Sequence, residues 1–419
     1  MPKPYRIFIG LLIIAALLTF FSLFFSNGIY LLIHDPKAMD FLAFYTGVHL
    51  LSQSPGELYN LHSQLVLQQQ IDPITQTTAV FLPFLNPPFV AVIFWVLLPF
   101  GLQNAYAIWL SLNMLMLLTL CVLTYRQVKL KNWYLAVALI LGIVTFIPVL
   151  TSILIGQLSL LLCLILLIAW IALKREKEFI GGLILSCMLI KPQFIILILL
   201  ALIVQRRKKL FLGFLSGIAI LFSISYLLVG WNGINNYVSL LNMSLHWDTG
   251  YGIDLMAQHS MQTMLLVIFH TQSLIRITFP WIISIMLIGI LTLFVCAKKY
   301  KLNSAQFSLQ FVVLIIATLL TSPHTHFHDL SMLVVVAIIL LSLTSKLKSK
   351  QKKLFIIFVG AGYLLELAGY LLDVQTQTAT RPLWIEISVG YMLIFWFVLV
   401  KALIKSNKLL KTEVKFARR

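Results

Sequence analysis

The residues best suited to chemistry in this chain lie between His34 and Tyr59, in the sequence HDPKAMDFLAFYTGVHLLSQSPGELY. Asp40 stands inside this polar stretch, which follows the first hydrophobic run of an otherwise apolar chain. A carboxylate within hydrogen-bonding reach of a hydroxyl can remove its proton as a general base. Asp35 lies in the same stretch and has the same chemistry, so the residues alone leave both carboxylates as candidates; our hypothesis is that Asp40 is a catalytic base. Asp is also a favoured N-cap residue, so the same side chain could cap a helix that begins at Phe41.

A second polar cluster, SPHTHFHD, ends at Asp329 and contains His324, His326 and His328. It follows a hydrophobic run, so it lies where a membrane helix would end. Three interpretations are open: a metal site built on H-x-H-x-H and the following Asp, interfacial histidines that bind only water, or a helix-end cluster that binds phosphate or positions a substrate. We favour the third interpretation.

The composition predicts a membrane protein that consists of helices. Of the 419 residues, 60% are hydrophobic and 11% are charged, whereas soluble domains carry about 25% charged residues. The apolar runs are about 20 residues long, the length that crosses a bilayer as a helix. We predict an all-α, polytopic integral membrane helical bundle with about twelve crossings. The first run, Ile7–Phe25, has no clear cleavage site and is predicted to be a retained anchor.

The net charge of +18 comes from Lys and Arg residues that are concentrated in short connectors such as Arg126–Lys131 and Lys346–Lys353. This pattern is typical of cytoplasmic loops and of contact with anionic lipid headgroups, and it argues against a nucleic-acid partner. We predict one domain over residues 1–419 with both termini cytoplasmic. Residues 26–86 and 230–279 are predicted to be extracytoplasmic loops, and residues 404–419 a basic cytoplasmic tail.

The first outer loop is predicted to carry amphipathic helices at Phe41–Leu51 and Leu61–Ile71 that lie along the membrane surface. Two arrangements of the middle of the chain remain open. If NPPFVAVIFWVLLPF, residues 86–100, crosses the membrane, the connector after Tyr125 is outside and residues 179–204 form one long helix kinked at Pro192. If it only dips in, the connector is inside and residues 179–204 form two half-length helices with Lys191 at the outer tip.

The polar residues that remain after the basic connectors are set aside fall on one predicted side of the membrane. All nine histidines lie on or near the outer side, as do the remaining cations Lys37, Lys191, Arg276 and Arg381. This segregation predicts an extracytoplasmic active site. Lys191, which is flanked by Leu, Ile and Phe, either pairs with an acid or binds a lipid phosphate. Gln157 could form a helix–helix hydrogen bond.

Several motifs occur in an order that resembles a bacterial family of GT-C superfamily glycosyltransferases, the alpha-1,2-mannosyltransferase-like proteins that use polyprenyl-phosphate mannose. The motifs are DFLAFYTGVHLL, PGELYN, FLNPPFVAVIFWVLLPF, GQLS, LIKPQF, AQHSM and SPHTHFHD. The resemblance implies a helical GT-C fold with an extracytoplasmic active site and with Asp40 as the general base. It also implies that His328 lies near the donor or acceptor, with Asp329 where some members carry a second His.

The function predicted from these residues and this resemblance is transfer of a hexose, mannose by resemblance, from a polyprenyl-phosphate sugar to a hydroxyl of a glycan or glycolipid, with inversion. Asp40 would deprotonate the hydroxyl, and cations and imidazolium would neutralise the leaving phosphate. No cofactor is expected, although a divalent metal stays open. Catalytic roles are predicted for Asp40 and His328. The predicted donor-binding residues are Tyr45, Tyr59, Gln157, Lys191, Arg276, His324, His326, Asp329 and Arg381.

Two rival functions are weighed against this one. Transporters or flippases of a lipid-linked sugar often show an internal repeat and ionisable residues near the membrane midplane, whereas this chain shows no evident repeat and its polar residues gather at one face. A non-catalytic scaffold of an envelope complex would not require the combination of Asp40 and SPHTHFHD. The Lys-rich, Ile/Leu-rich composition fits a bacterial inner membrane, although an endoplasmic reticulum enzyme of this superfamily would look similar. The four cysteines lie in apolar runs and are predicted to pack in the core.

Overall fold

The structure is a computed structural model that describes residues 40–71, 81–128, 133–244, 249–250, 253–254, 258–271, 273–343, 349–376 and 381–416. The predicted anchor Ile7–Phe25 and Lys37 lie outside these residues. The described chain is helical apart from short connections and one antiparallel pair of two-residue strands, β1 (Thr249–Gly250) and β2 (Ile253–Asp254). The α-helices are α1 Phe41–Gln53, α2 Leu61–Ile71, α3 Pro88–Ile93, α4 Leu102–Val128, α5 Trp133–Val144, α6 Ile147–Leu154, α7 Ser159–Lys174, α8 Glu178–Ser186, α9 Ile196–Gln205, α10 Lys208–Ser244, α11 Met261–Ile268, α12 Leu274–Cys296, α13 Ala305–Thr321, α14 Met332–Leu343, α15 Ser349–Gln375 and α16 Arg381–Phe416.

Five segments in the described part of the chain are long and apolar enough to cross a membrane, and a sixth is obtained if α5 and α6, which bend by 45°, count as one span. The all-helical membrane class is therefore confirmed. The predicted number of about twelve crossings is not confirmed, because several apolar runs form shorter helices. The five spans are Leu102–Val128, Lys208–Ser244, Leu274–Cys296, Lys353–Gln375 and Arg381–Lys405.

The described residues group into two compact units. The first unit comprises the chain up to Leu164 together with Gly217–Leu255, and the second comprises Ile165–Ser216 together with Met256–Arg419. Each unit contains its own buried apolar residues. The prediction of a single domain over residues 1–419 stays a prediction.

In the first unit, α1 differs from the surface helix that was predicted. Its boundaries agree closely with the prediction, but every residue from Phe41 to Val48 is buried. The sequence FLAFYTGV is apolar on all sides of a helix, so α1 is covered by α2, α3 and α4 instead of lying on a membrane surface. Helix α1 is therefore part of the core of the first unit.

Helix α2 buries two glutamines, and they hold the segment that leads to α3. Gln64 donates to the Leu58 carbonyl at 2.8 Å and accepts the Phe84 N–H at 2.7 Å. Gln68 donates to the Leu82 carbonyl at 2.6 Å and accepts the Leu82 N–H at 3.3 Å. The two amides replace a neighbouring strand, so this extended segment keeps its backbone groups satisfied.

Both ambiguous segments in the middle of the chain are short in the structure. Residues 86–100 form only the six-residue α3 and the 3₁₀ turn Trp95–Leu97. Six helical residues rise about 9 Å, far less than the roughly 30 Å of a bilayer core. Residues 178–205 are interrupted by the 3₁₀ turns Cys187–Ile190 and Pro192–Phe194, with Lys191 extended between them at φ −124° and ψ 92°. These local features favour the arrangement with two half-length helices.

In the second unit, α13 is the central helix. It is buried from Phe307 to Leu320 except at Leu309 and packs against α12, α14 and α16. The Trp170 indole donates to the Ser308 hydroxyl at 3.2 Å. Because α13 ends at Thr321, the segment SPHTHFHD starts immediately after it, and its conformation is set by the helices around that end.

Candidate functional site

Asp40 is the residue immediately before α1, and it is half-buried. Its side chain makes no capping hydrogen bond to the helix. The Gln157 amide instead donates to Asp40 Oδ2 at 2.7 Å. The capping interpretation of Asp40 is therefore not supported, and the carboxylate is held by a residue 117 positions later in the chain.

The turn that presents Gln157 is tied to the start of α1. The Phe41 N–H donates to the Ile155 carbonyl at 3.0 Å, and the Gln157 N–H donates to the Ser152 carbonyl at 2.8 Å. Gly156 lies between them with φ +76°, and a Cβ placed there would come within 2.6 Å of Phe41 Cβ. Only glycine meets both demands. The pair Asp40–Phe41 thus fits against the pair Gly156–Gln157, residue for residue.

Helix α4 fixes this turn from a further direction. The Trp109 indole donates to the Gly156 carbonyl at 2.8 Å, and the Tyr106 hydroxyl donates to the Leu154 carbonyl at 2.5 Å. The Tyr106 ring also lies 5.4 Å from the Phe41 ring. Sequence reasoning missed both residues, although their i, i+3 spacing places them on one helix face.

Tyr45 and Tyr59, two predicted donor-binding residues, have their hydroxyl groups on backbone carbonyls. Tyr45 is 4% exposed and donates to the Phe100 carbonyl at 2.6 Å, whereas Tyr59 is 5% exposed and donates to the Asn86 carbonyl at 2.8 Å. Burial raises the pKa of both phenols, so each keeps its donor proton. These contacts stabilise the segments around α3, and contact with the donor stays a prediction.

The second unit holds a separate cluster around Lys191. Its Nζ lies 2.6 Å from Asp329 Oδ1 and 3.1 Å from His328 Nε2. The Lys191 and Asp329 side chains are 9% and 0% exposed. The other Asp329 oxygen accepts the His326 N–H at 3.2 Å. Lys191 therefore pairs with an acid, which is one of the two interpretations left open by the sequence. Through this ion pair, Asp329 links the 3₁₀ turn Phe327–Ser331 to the non-helical residue between the 3₁₀ turns Cys187–Ile190 and Pro192–Phe194.

The protonation of this cluster follows from its geometry. A lysine ammonium only donates hydrogen bonds, so His328 Nε2 accepts and the imidazole proton is on Nδ1. Burial lowers the pKa of His328 well below its usual value, and Lys191 adds to this effect while Asp329 opposes it. Burial would raise the pKa of Asp329, but Lys191, His328 and His326 together more than offset this effect, so the pKa is lowered. Burial and the Lys191 charge thus favour a neutral imidazole at His328 over the imidazolium expected from the sequence.

The remaining histidines of SPHTHFHD are neutral as well. Burial lowers the pKa of His326 to about 4, opposed by Asp329 and aided by Lys191 and His324. Burial also lowers the pKa of His324, whose Nδ1 lies 3.2 Å from Gln258 Nε2. The His326 and His328 rings stack at 5.3 Å. The chain around Gln258 pairs with this segment through a bridge to His326, so AQHSM and SPHTHFHD are adjacent in space.

Arg276 and Arg381 have different surroundings. Arg276 is exposed in the first turn of α12. Arg381 begins α16, and its Nη2 lies 3.0 Å from Asp373 Oδ2 while its Nε donates to the same carboxylate at 3.1 Å. This fork closes the connection between α15 and α16. A role for either residue in binding the donor phosphate stays a prediction.

No three His, Cys, Asp or Glu side chains converge in a metal-binding arrangement anywhere in the residues that the structure describes. This includes the three histidines of SPHTHFHD, because two stack on each other and Asp329 is engaged by Lys191. The metal interpretation of that motif therefore has no support in the geometry. Independence from metal stays a prediction.

The arrangement in each unit has a chemical capacity of its own. In the first unit, an amide donates to the Asp40 side chain, and a carboxylate can accept a proton. In the second, a buried ammonium and a neutral imidazole with a proton on Nδ1 can donate hydrogen bonds to an anion. Gln157, from the motif GQLS, contacts Asp40 in the first unit. Lys191, from the motif LIKPQF, contacts Asp329 of SPHTHFHD in the second unit.

The profile of glycosyltransferase family 87 matches residues 84–323, which is more than half of the chain. The match includes Gln157, Lys191 and Arg276, and it ends just before His324. Comparisons with curated proteins and with solved structures gave no match. The extent of the family match shows that this membrane-helical chain belongs to glycosyltransferase family 87.

Proposed function

We propose that this protein moves a hexose, mannose by the resemblance of its motifs, from a polyprenyl-phosphate sugar to a hydroxyl group of a glycan or glycolipid. We place the reaction on the extracytoplasmic face of a bacterial inner membrane. The observation that carries the proposal is the hydrogen bond from Gln157 to Asp40 at 2.7 Å in a chain of a glycosyltransferase family. The alternative is a transporter or flippase of a lipid-linked sugar.

In the proposed mechanism, Asp40 removes the proton of the acceptor hydroxyl. An amide orients a carboxylate but does not neutralise it, as a Lys or Arg partner would. Gln157 itself therefore does not neutralise Asp40, and it fixes the plane of the carboxylate lone pairs. Trp109 and Tyr106 hold the turn that carries Gln157, so the base is positioned before a substrate arrives.

The bond changes then balance without a cofactor. The acceptor oxygen forms a bond to the anomeric carbon as its proton passes to Asp40. The bond from that carbon to the phosphate oxygen breaks, and polyprenyl phosphate leaves with the electron pair. Because the acceptor attacks from the face opposite the leaving group, the anomeric configuration inverts. Charge builds on the leaving phosphate, and cationic or hydrogen-bonding groups would lower the barrier there.

We assign the leaving phosphate to the Lys191 cluster. A lysine ammonium has three N–H donors, and Asp329 and His328 occupy two of them in the described structure. The third donor and the His328 Nδ1–H are the groups that would contact phosphate. Asp329 balances the lysine charge in the absence of substrate, which lowers the cost of keeping Lys191 buried.

The test is a donor panel with the purified full-length protein in lipid vesicles. Polyprenyl phosphates that carry mannose, glucose or galactose are offered with a glycolipid acceptor, and release of polyprenyl phosphate is measured together with glycosylated product. We expect equal amounts of both products, and the largest amounts from the mannosyl donor. Movement of intact lipid-linked sugar across the vesicle without cleavage would instead identify a flippase and contradict the proposal.

A further inference from the structure

A buried acid in the second unit has no part in the mechanism above. Glu366 lies on α15, within a segment long and apolar enough to cross a membrane, and it is 2% exposed. One of its oxygens accepts the Trp384 indole N–H at 3.1 Å, and the other accepts the Ser388 hydroxyl at 2.5 Å. An ionisable side chain at such a position is costly and is a functional candidate.

Both partners of Glu366 come from one face of α16. Trp384 and Ser388 are four residues apart, so a helix presents them on the same side. The two helices approach closely at this point, because a Cβ at Gly369 would come within 2.0 Å of Trp384 Cδ1. Glycine thus creates the space for the indole, and Glu366 fixes its rotation by accepting the N–H.

The indole that Glu366 holds packs against the segment SPHTHFHD. Its ring lies 4.7 Å from the Phe327 ring in an edge-to-face arrangement and 4.9 Å from the His259 ring. Tyr370 of α15 stacks on Phe327 from a further side at 6.3 Å. The Phe327 backbone lies directly between His326 and His328. The His259 N–H donates to the Thr325 carbonyl at 2.7 Å. The Trp384 indole therefore contacts both of the paired segments, the one with His259 and the one with Phe327.

We propose that Glu366 is a positioning residue: through Trp384 it fixes Phe327, and through Phe327 it sets the orientation of the His328 ring and of Asp329 beside Lys191. This inference rests on the proposed function, because only then does the orientation of His328 affect a reaction. Residues Glu366 and Trp384 lie beyond the part of the chain that the family profile matches, at residues 84–323. The contacts that Glu366 and Trp384 make toward this segment come from α15 and α16.

Three substitutions separate hydrogen bonding from charge. Glu366→Gln keeps an acceptor for the indole and an N–H for Ser388, so it should retain turnover. Glu366→Leu removes both acceptors, and Trp384→Phe removes the N–H that Glu366 holds. We expect the last two to lower kcat about tenfold with little change in KM for the donor, since small misplacements of a reacting group reduce rate strongly. Tyr391→Phe is the control, because its hydroxyl bonds the Phe358 carbonyl between the same two helices.

A measurement without substrate keeps this inference separate from the proposed function. Amide hydrogen exchange of residues 322–331 should be faster in Glu366→Leu and Trp384→Phe than in the wild type, and unchanged in Glu366→Gln and Tyr391→Phe. Unchanged exchange in Glu366→Leu, or a loss of kcat in Glu366→Gln as large as in Glu366→Leu, would overturn the positioning role. The predicted exchange pattern in a protein that consumes no donor would refute the proposed function and leave the link between Glu366 and this segment in place.

Discussion

At the scale of single residues, the Asp40 carboxylate and the Gln157 amide form the contact on which the mechanism depends. The hydrogen bond of 2.7 Å joins the amide to one carboxylate oxygen, Oδ2. The resemblance of the ordered motifs selected Asp40 as the base, and both residue types were visible in the sequence. Their pairing was not, because a period of 3.6 or 2 residues carries no information about a partner 117 positions away.

Exchange of the amide for a second carboxylate tests this contact. In Gln157→Glu two carboxylates lie within hydrogen-bonding distance, and neither ionises readily beside the other. The pKa on the acid limb of the kcat/KM profile should therefore rise, so that activity is lost at a higher pH as the pH falls. Gln157→Leu should lower kcat about tenfold without this shift, since only orientation is lost. Ser111→Ala, an exposed hydroxyl that bonds within its own helix, is the control, and an unshifted limb in Gln157→Glu would count against an ionised Asp40.

The pairing of Lys191 with Asp329 has a structural and a functional component that can be separated. Lys191→Met leaves Asp329 buried without its cation and should destabilise the protein by about 3–5 kcal/mol. The double variant Lys191→Met/Asp329→Leu removes both charges and should recover most of that stability in thermal unfolding. Transfer activity should stay low in the double variant if Lys191 contacts phosphate. Recovery of activity together with stability would show that Lys191 only pairs with the acid.

At the scale of elements, the turn Leu154–Gln157 brings Gln157 of the motif GQLS to Asp40, the first residue of the motif DFLAFYTGVHLL. The break between α6 and α7 has Gly156 at φ +76° and packs directly on Phe41. The predicted helix start at Phe41 agrees with the structure, because an apolar run begins there after a polar stretch. The sequence did not predict that α1 would be buried, because an apolar helix has the same sequence pattern whether it contacts lipid or the protein core.

Gly156→Ala should therefore affect both stability and turnover. A Cβ would meet Phe41 Cβ at 2.6 Å, and the positive φ disfavours any side chain. We expect a loss of about 1–3 kcal/mol in stability and a loss of transfer activity of about tenfold or more, because α1 and Asp40 must shift. Gly142→Ala is the matched control: it lies in α5, and a Cβ there would have no atom within 4 Å. Equal effects of the two substitutions on turnover would contradict this account of the turn.

At the scale of the whole molecule, composition was enough to establish a helical membrane protein, and charge distribution gave its expected sidedness. The number of crossings was harder to predict, because runs such as residues 86–100 and 178–205 have the apolar content of a span but are divided by prolines and 3₁₀ turns. Hydropathy averages over such interruptions. The histidine cluster was recognised as a motif, but its neutral state depends on burial and on Lys191, which only the fold reveals.

The interrupted segments give a topological prediction. If residues 86–100 do not cross, the basic connector after Tyr125 is cytoplasmic. Arg126→Cys, in a background without the four native cysteines, should react with an impermeant thiol reagent only after the membrane is opened. Gln375→Cys, at the exposed end of α15, should react in intact cells and is the positive control. Labelling of position 126 in intact cells would favour the arrangement in which residues 86–100 cross.

The central claim is that Asp40 removes the acceptor proton, and single-turnover transfer by Asp40→Asn tests it most directly. The variant keeps the size of the side chain and an oxygen that can accept from Gln157, so the turn at Gly156 should be preserved. We expect donor binding close to that of the wild type and a transfer rate lower by about 10²–10⁴-fold, the usual contribution of a general base. Glu57→Gln, an exposed carboxylate in the same unit that accepts only the Ser63 hydroxyl at 2.7 Å, should transfer at the wild-type rate. A transfer rate in Asp40→Asn equal to that of Glu57→Gln would contradict the account.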